Sequence, residues 1–320
     1  MRVVVTGGAG FIGSNLVDAL VSDGARVVVI DNFSTGFERH LSEASAHGEV
    51  EIVRHDLVDD AAALAGFLDG ADAVVHLAAN ADVRFGWDAP RRDLEQNVVV
   101  THNVLEAVRI AQVPRLLFSS TGSVYGEPDV FPTPEDAPFP AQTSLYGASK
   151  TAAEGYIAAY AAAGACSATV FRFVSVLGPR YSHGHVIDFV RQLAGSGSRL
   201  RILGDGTQRK SYLHVDDCVA AVVHCLPRDP GYEVFNLGVD DYCTVQESAT
   251  WICERLGVSP AFEYTGGDRG WIGDNPFIYL DTARICATGW SPSFGIRAAV
   301  ESTVDYLVTN PWLVEASGHA

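Results

Sequence analysis

The sequence predicts an α/β fold, a doubly wound parallel sheet joined to a smaller, mostly helical C-terminal lobe. Three observations carry this. Short β-branched runs alternate with helical patterns through residues 1–174, the spacing of strand–helix–strand units in a sheet covered on both faces. The first run, residues 2–7, passes through Gly8-Ala9-Gly10-Phe11-Ile12-Gly13 into a helical pattern, which is strand, glycine turn, helix. Beyond residue 174 turn signals crowd at Gly178-Pro179, Gly204-Asp205-Gly206, Pro227 and Pro230-Gly231, and strand candidates shorten.

Taken in order, the glycine turn lets a pyrophosphate approach backbone N–H groups at the positive end of a helix dipole. The second strand, 26–30, ends in Asp31, whose carboxylate accepts from ribose hydroxyls and repels a 2′-phosphate, so the motif favours NAD over NADP. With that context the sheet is of the Rossmann type. Strands follow at 50–55, closed by Asp56-Leu57, at 73–79, at 116–120 with the hydroxyl-rich end Ser119-Ser120-Thr121-Gly122-Ser123, and at 168–173. Ligands in such sheets sit beyond the carboxyl ends of the strands, here Gly7, Asp31, Ala79, Thr121 and Phe173. A long helix is expected at 91–112, another at 146–163, and later ones at 185–194, 216–226, 244–256 and 296–308. Residues 1–174 read as the NAD-binding domain, with a returning segment at about 211–238. Residues 175–210 and 239–320 read as the substrate lobe, and 315–320 as a frayed tail.

Tyr146 and Lys150 stand four apart at the start of the 146–163 helix, on one face. The chain has two lysines, Lys150 and Lys210, against twenty arginines, so a compact ammonium was kept here. A lysine beside a tyrosine favours phenolate, and the pair is expected to lower the phenol's pKa and make it a general base. Six cysteines without metal-ligand spacing read as reduced thiols in a cytoplasmic protein. The net charge of −17 argues against a nucleic-acid partner, and no apolar run of about 18 residues is present to span a bilayer. His183 and His185 flank Gly184 without a further ligand spacing, so no metal is expected; they border a pocket or cap the next helix.

Together, Thr6 to Gly13, Asp31-Asn32, His76-Leu77-Ala78-Ala79, Ser119-Ser120-Thr121 and Tyr146-x-x-x-Lys150 resemble the extended short-chain dehydrogenase/reductases. Arg172 to Arg180, Gly204 to Gln208, Tyr212 to Asp217 and Gly273-Asp274-x-Pro276 extend the likeness, most closely to NAD-dependent nucleotide-sugar epimerases and dehydratases of the UDP-glucose 4-epimerase type. The resemblance implies tightly bound NAD, held by Gly7, Gly10, Phe11, Ile12 and Gly13, by Asp31, Asn32, Ser34, Thr35 and Gly36, and by Asp56 and Leu57. Leu77, Ala78, Ala79, Asn97, Ser119 and Phe173 would complete that site, with Tyr146 and Lys150. It implies Tyr146 as base, Lys150 on the nicotinamide ribose, and Thr121 on the reacting oxygen.

For the nucleotide-diphosphate sugar it implies contacts from Val83, Arg84, Thr121, Ser123, Tyr146 and Ser175, and from Val186, Arg201, Leu203, Lys210 and Arg269. Ser175 replaces the family's asparagine. Trp271 stands where many relatives have arginine, so either Arg269 reaches in from a shifted loop or Trp271 stacks. Arg180 is expected near the pocket mouth, and Trp87 faces the sugar or is an exposed loop contact. Related dehydratases carry Asp-Glu after the threonine, and decarboxylases a glutamate at the second position. Here the pair is Gly122-Ser123, so C4 epimerisation leads over dehydratase, decarboxylase or reductase chemistry. A non-catalytic NAD-sensing protein would lose Tyr or Lys, and both are present. Apolar stripes on the 91–112 and 146–163 helices imply a homodimer.

Overall fold

The structure, a computed structural model, describes residues 1–83, 86–138, 141–195 and 197–316. Strand β1 (Arg2–Thr6) leads into α1 (Phe11–Ser22) and β2 (Arg26–Asp31), then α2 (Ser42–His47), β3 (Val50–Arg54), α3 (Ala61–Phe67) and β4 (Ala73–His76). Helices α4 (Pro90–Asp93) and α5 (Val100–Ile110) precede β5 (Arg115–Thr121), and α6 (Leu145–Ala162) precedes β6 (Ser167–Phe173). There follow β7 (Ser175–Leu177), α7 (His185–Ala194), β8 (Arg199–Ile202), β9 (Arg209–Lys210), β10 (Tyr212–His214), α8 (Val215–Cys225) and β11 (Tyr232–Leu237). The chain ends through β12 (Cys243–Thr244), α9 (Val245–Leu256), β13 (Ala261–Tyr264), β14 (Phe277–Ile278), α10 (Ala283–Cys286), α11 (Ile296–Thr309) and α12 (Pro311–Ala316).

Seven strands form one parallel sheet in the order β11-β6-β5-β4-β1-β2-β3. Both faces are covered. Along β1, Val3 and Val5 belong to one apolar cluster and Val4 to the other, the alternation a pleated strand imposes. The strand order reverses between β1 and β4, so their carboxyl ends open a crevice lined by the glycine turn on one side and residues 77–80 on the other.

The structure refines four expectations. Strand β4 stops at His76 rather than running to residue 79; Leu77 N makes one more bond to β1, to Thr6 O at 3.1 Å, and the pairing ends there. The helix expected at 91–112 runs without a break from Pro90 to Ile110 but is not α throughout: Leu94–Val99 forms a π-type segment between α4 and α5, and Asn97 within it is buried. Within 211–238, β11 alone joins the large sheet, beside β6, while β10 pairs with β7 outside it. Helix α12 runs through Ala316, so the first two residues of the expected tail are helical; residues 317–320 lie outside the described residues.

Candidate active site

The glycine turn is built for close approach. Gly7 has φ +70°, and a Cβ there would lie 2.7 Å from Ala78 N, across the crevice. A Cβ on Gly13 would lie 2.2 Å from Gly7 O, so α1 packs on the turn only if that residue is glycine. Gly10 caps α1 in an extended conformation with no side-chain cap, which leaves the helix N-terminal N–H groups for a ligand. Asp31 accepts from Ala9 N at 2.9 Å and Phe33 N at 2.8 Å, and each oxygen keeps a lone pair for a ribose hydroxyl. Burial raises the Asp31 pKa, against the lowering effect of those two amides and of Arg54. Asn32 donates to Asp56 Oδ2 at 3.0 Å and accepts from Ser34 N at 2.9 Å. Ser34 and Thr35 are exposed, Leu57 is buried, and Gly36 sits against Ala9. Such a cradle, with uncapped amides and an acidic residue at the end of β2, fits a dinucleotide without a 2′-phosphate.

At the carboxyl end of β5 the structure gathers Thr121, Ser123, Tyr146, Lys150, Ser119 and Asn97. Ser144 caps α6 by accepting from Gly147 N at 3.0 Å, which starts the helix at Leu145 and turns Tyr146 and Lys150 inward. Tyr146 comes close to Thr121, whose Oγ1 donates to Ser123 Oγ at 3.2 Å and accepts from Ser123 N at 3.1 Å. Lys150 is 2% exposed; its Nζ donates to Ser119 O at 2.9 Å and lies 4.6 Å from the centre of the Phe118 ring. Burial lowers the ammonium to about 7, opposed first by Glu154 and then by Asp93. His76, clasped between Thr6 Oγ1 at 2.7 Å and Thr101 Oγ1 at 3.1 Å, is lowered to about 3 by burial and the Lys150 charge, and so is neutral.

The expected lowering of the phenol's pKa is reversed in this chain. Although Tyr146 keeps an exposed edge, desolvation pushes it up to about 12, with Asp93 adding to the rise and Thr121 opposing it. Burial sets the direction, while the Lys150 ammonium is turned onto Ser119 O and the Phe118 ring.

On the substrate side, the cations are already engaged. Lys210 Nζ donates to Asp274 Oδ1 at 2.8 Å and to Asn275 O, and burial lowers its pKa against the pull of Asp274. Arg269 Nη1 donates to Asp274 O at 3.0 Å and Glu127 Oε1 at 2.7 Å. Arg269 therefore reaches in beside Lys210, and the two converge on the Asp274–Asn275 turn. Trp271 shares that loop. Arg180 is held by Asp18 of α1 at 2.6 Å, away from this cluster. Ser175 is exposed, as are Arg201 and Leu203 at the end of β8 and Trp87 in its loop. Val186 is fully buried and Val83 is half-buried. Arg84 lies outside the described residues. His185 bonds Ser248 Oγ at 2.8 Å and stacks on Tyr212, and His183 stacks on Tyr181. Among the described residues no group of three potential ligands could hold a metal, and no helix is long and apolar enough to cross a membrane.

Three residues of the site went unread in the sequence: Asn80, Asp93 and Glu154. Asn80 N donates to Asn97 Oδ1 at 2.9 Å, and Asn80 Nδ2 donates to Asp93 Oδ1 at 2.7 Å. Asn97 Nδ2 reaches across to Ser149 Oγ at 2.9 Å. Glu154 pairs with Arg172 at 2.7 Å, both side chains 5% exposed, and accepts from Ser120 Oγ. Helical spacing was the available signal, since Asp93 is four before Asn97 and Glu154 four after Lys150.

Comparison with known proteins agrees with this geometry. The profile of the NAD dependent epimerase/dehydratase family matches residues 3–238. UDP-glucose 4-epimerase of Mycolicibacterium smegmatis is 35% identical over 314 residues, 96% of this chain and 98% of that protein. UDP-glucuronic acid decarboxylase 1 of Xenopus tropicalis is 29% identical over 318 residues, 95% of this chain and 72% of that protein. The solved structure of MoeE5 in complex with UDP-glucuronic acid and NAD superposes with a TM-score of 0.86 at 31% identity, over 97% of this chain and 100% of that one.

Proposed function

The chain belongs to the NAD dependent epimerase/dehydratase family, with NAD as its cofactor, and on that premise we propose that it inverts C4 of a UDP-activated hexose or uronate through a 4-keto intermediate. The observation that carries the reading is the convergence of Thr121, Tyr146 and Lys150 at the carboxyl end of β5, with Gly122 and Ser123 where a dehydratase or decarboxylase needs carboxylates. The cofactor rests on Gly7, Gly10 and Gly13, with Phe11 and Ile12 at the helix start and Asp31 and Asn32 on the adenosine ribose. When bound, NAD supplies a hydride acceptor that can return the hydride to the opposite face of the same carbon. Tyr146 takes the proton of the 4-hydroxyl and gives it back to the 4-keto oxygen. Thr121 orients that oxygen, and Lys150 fixes the ribose and stabilises negative charge on the phenol. Lys210 and Arg269 hold the diphosphate by exchanging Asp274 and Glu127 for phosphate oxygens.

Residues 1–174 and the strand near 232–237 form the NAD-binding part in this reading, with 175–210 and 239–320 the sugar-nucleotide lobe. A second copy packs on α5 and α6, where Ile110 and Tyr156 are 48% and 46% exposed, and Leu94 and Val99 continue the apolar face. The cytoplasm is the proposed compartment, supported by six cysteines that are all free thiols. Decarboxylation of a UDP-uronate is the second reading, favoured by the likeness to the decarboxylase above.

Tyr146→Phe tests the assignment. The variant is expected to lose turnover by about 10²–10⁴-fold while it purifies with the same NAD content as wild type, read by cofactor release on denaturation. Near-full activity in the variant contradicts the assignment.

A further inference from the structure

We propose that Trp312 is a positioning residue for the cofactor: from the last helix, α12, it braces the loop 32–40, which carries Asn32, Ser34, Thr35 and Gly36, and so slows the release of NAD. The inference takes only the cofactor from the reading above and goes beyond it, since nothing in that scheme uses α12.

The loop after β2 needs support from outside. Phe33 sits at φ +59°, a left-handed conformation that bulky residues rarely adopt and that persists only where surrounding contacts hold it. Ser34 and Thr35, next along, are exposed. Two contacts tie the loop to the glycine turn. At its start, Phe33 N donates to Asp31 Oδ1 at 2.8 Å, and the other oxygen of Asp31 accepts from Ala9 N at 2.9 Å. At its far end, Phe37 N donates to Ala9 O at 3.0 Å, and Gly36 lies so near that an added Cβ would be 3.0 Å from Ala9 Cβ. The loop is thereby closed onto Ala9.

Trp312 packs on the outside of that closure. Its ring stands edge-on to Phe37 with centroids 5.3 Å apart and lies 5.6 Å from His40, and the Arg39 guanidinium sits 4.8 Å from its centre. His40, 3% exposed, is edge-on to Phe37 at 5.4 Å and places Nδ1 3.4 Å from Ala9 O. Three residues of one short turn therefore converge on one indole. Helix α12 is anchored on its other side: Leu313 is fully buried, Arg191 Nε of α7 donates to Val314 O at 3.3 Å, and the indole Nε1 donates to Asn310 Oδ1 at 3.3 Å. Aromatic contacts of this kind stabilise beyond the apolar area they bury. Without the indole, Phe37 and His40 face a gap, and the loop opens more readily.

The test reads cofactor release directly. Holoenzyme loaded with radiolabelled NAD is chased with excess unlabelled NAD, and the rate of label loss is measured. Trp312→Ala is expected to release NAD about ten-fold faster than wild type. Trp312→Phe, which keeps a ring against Phe37, is expected to restore a rate close to that of wild type. Leu68→Ala is the control, since Leu68 is 1% exposed in the apolar cluster on the other face of the sheet, and its cavity lowers stability away from the loop. Its release rate is expected to match wild type. Trp312→Leu carries the same expectation as the alanine variant if that variant folds poorly. A wild-type rate in a folded variant that lacks the ring overturns the proposal. Equal acceleration in Leu68→Ala also overturns it, because the effect would then be general loosening. An active Tyr146→Phe enzyme sinks the reaction, and the chase still decides Trp312.

Discussion

Inside this chain Tyr146 binds its proton more tightly than a free tyrosine, and Lys150 less tightly than a free lysine. Both shifts come from burial, which penalises whichever form is charged. The spacing of the pair was legible in the sequence, but the balance of desolvation against attraction was not, because burial depends on β5 and the loop after β4 closing over the helix. Desolvation also governs His40, 3% exposed between Phe37 and Trp312, which burial lowers to about 4. Its folded pKa lies below the ordinary 6.5, so the unfolded chain binds more protons between those values. The stability is present above pH 6.5 and lost as pH falls towards 4, about 3 kcal/mol from this one group. His40→Phe keeps a ring against Trp312 and removes the titration. Urea melts from pH 7 to pH 4.5 are expected to show a flatter decline for the variant than for wild type, and equal slopes would contradict this origin.

Helix α6 does three jobs through residues set one turn apart: Tyr146 and Lys150 face the crevice, Ser149 meets Asn97, and Glu154 faces the sheet. Beneath them, Arg172 of β6 donates to Glu154, to Tyr125 OH at 2.7 Å and to Glu135 O at 3.0 Å, and Tyr125 OH donates to Asn236 Oδ1 of β11 at 2.8 Å. This buried network joins α6, β6 and β11 under the site. Arg172→Leu leaves Glu154 charged and unpaired, and is expected to cost about 3–5 kcal/mol in chemical denaturation. A loss below about 1 kcal/mol would show that Glu154 neutralises or finds water instead. Helices α7, α9 and α11 were legible because each repeats apolar residues at helical period between clear end signals such as Gly184 and Gly257. The π-type segment at Leu94–Val99 was not, since no glycine or proline marks it and what Asn97 meets there, Asn80 and Ser149, is tertiary.

At the scale of the molecule, the reversal of strand order at β1 and β4 decides where everything else collects. The glycine turn, Asp31, Asn97, Thr121 and α6 are brought to one end of one sheet, which the alternation of strands and helices already foretold. Harder to foresee was the smaller lobe, where β9 is a two-residue strand paired with β12 and β14, too short to leave a periodic signal. That pairing buries Lys210 against Asp274. The exposed apolar face of α5 and α6 predicts a dimer, and a monomeric mass by light scattering at micromolar concentration would contradict it. The central claim, reversible hydride transfer at C4, is met most directly by an NMR time course. UDP-glucose, UDP-N-acetylglucosamine and UDP-glucuronate are each incubated with the protein in D2O with no NAD added. A C4 epimer that carries no deuterium at C4 is the predicted result. Deuterium at C3 or C5, or loss of water or carbon dioxide, would contradict it.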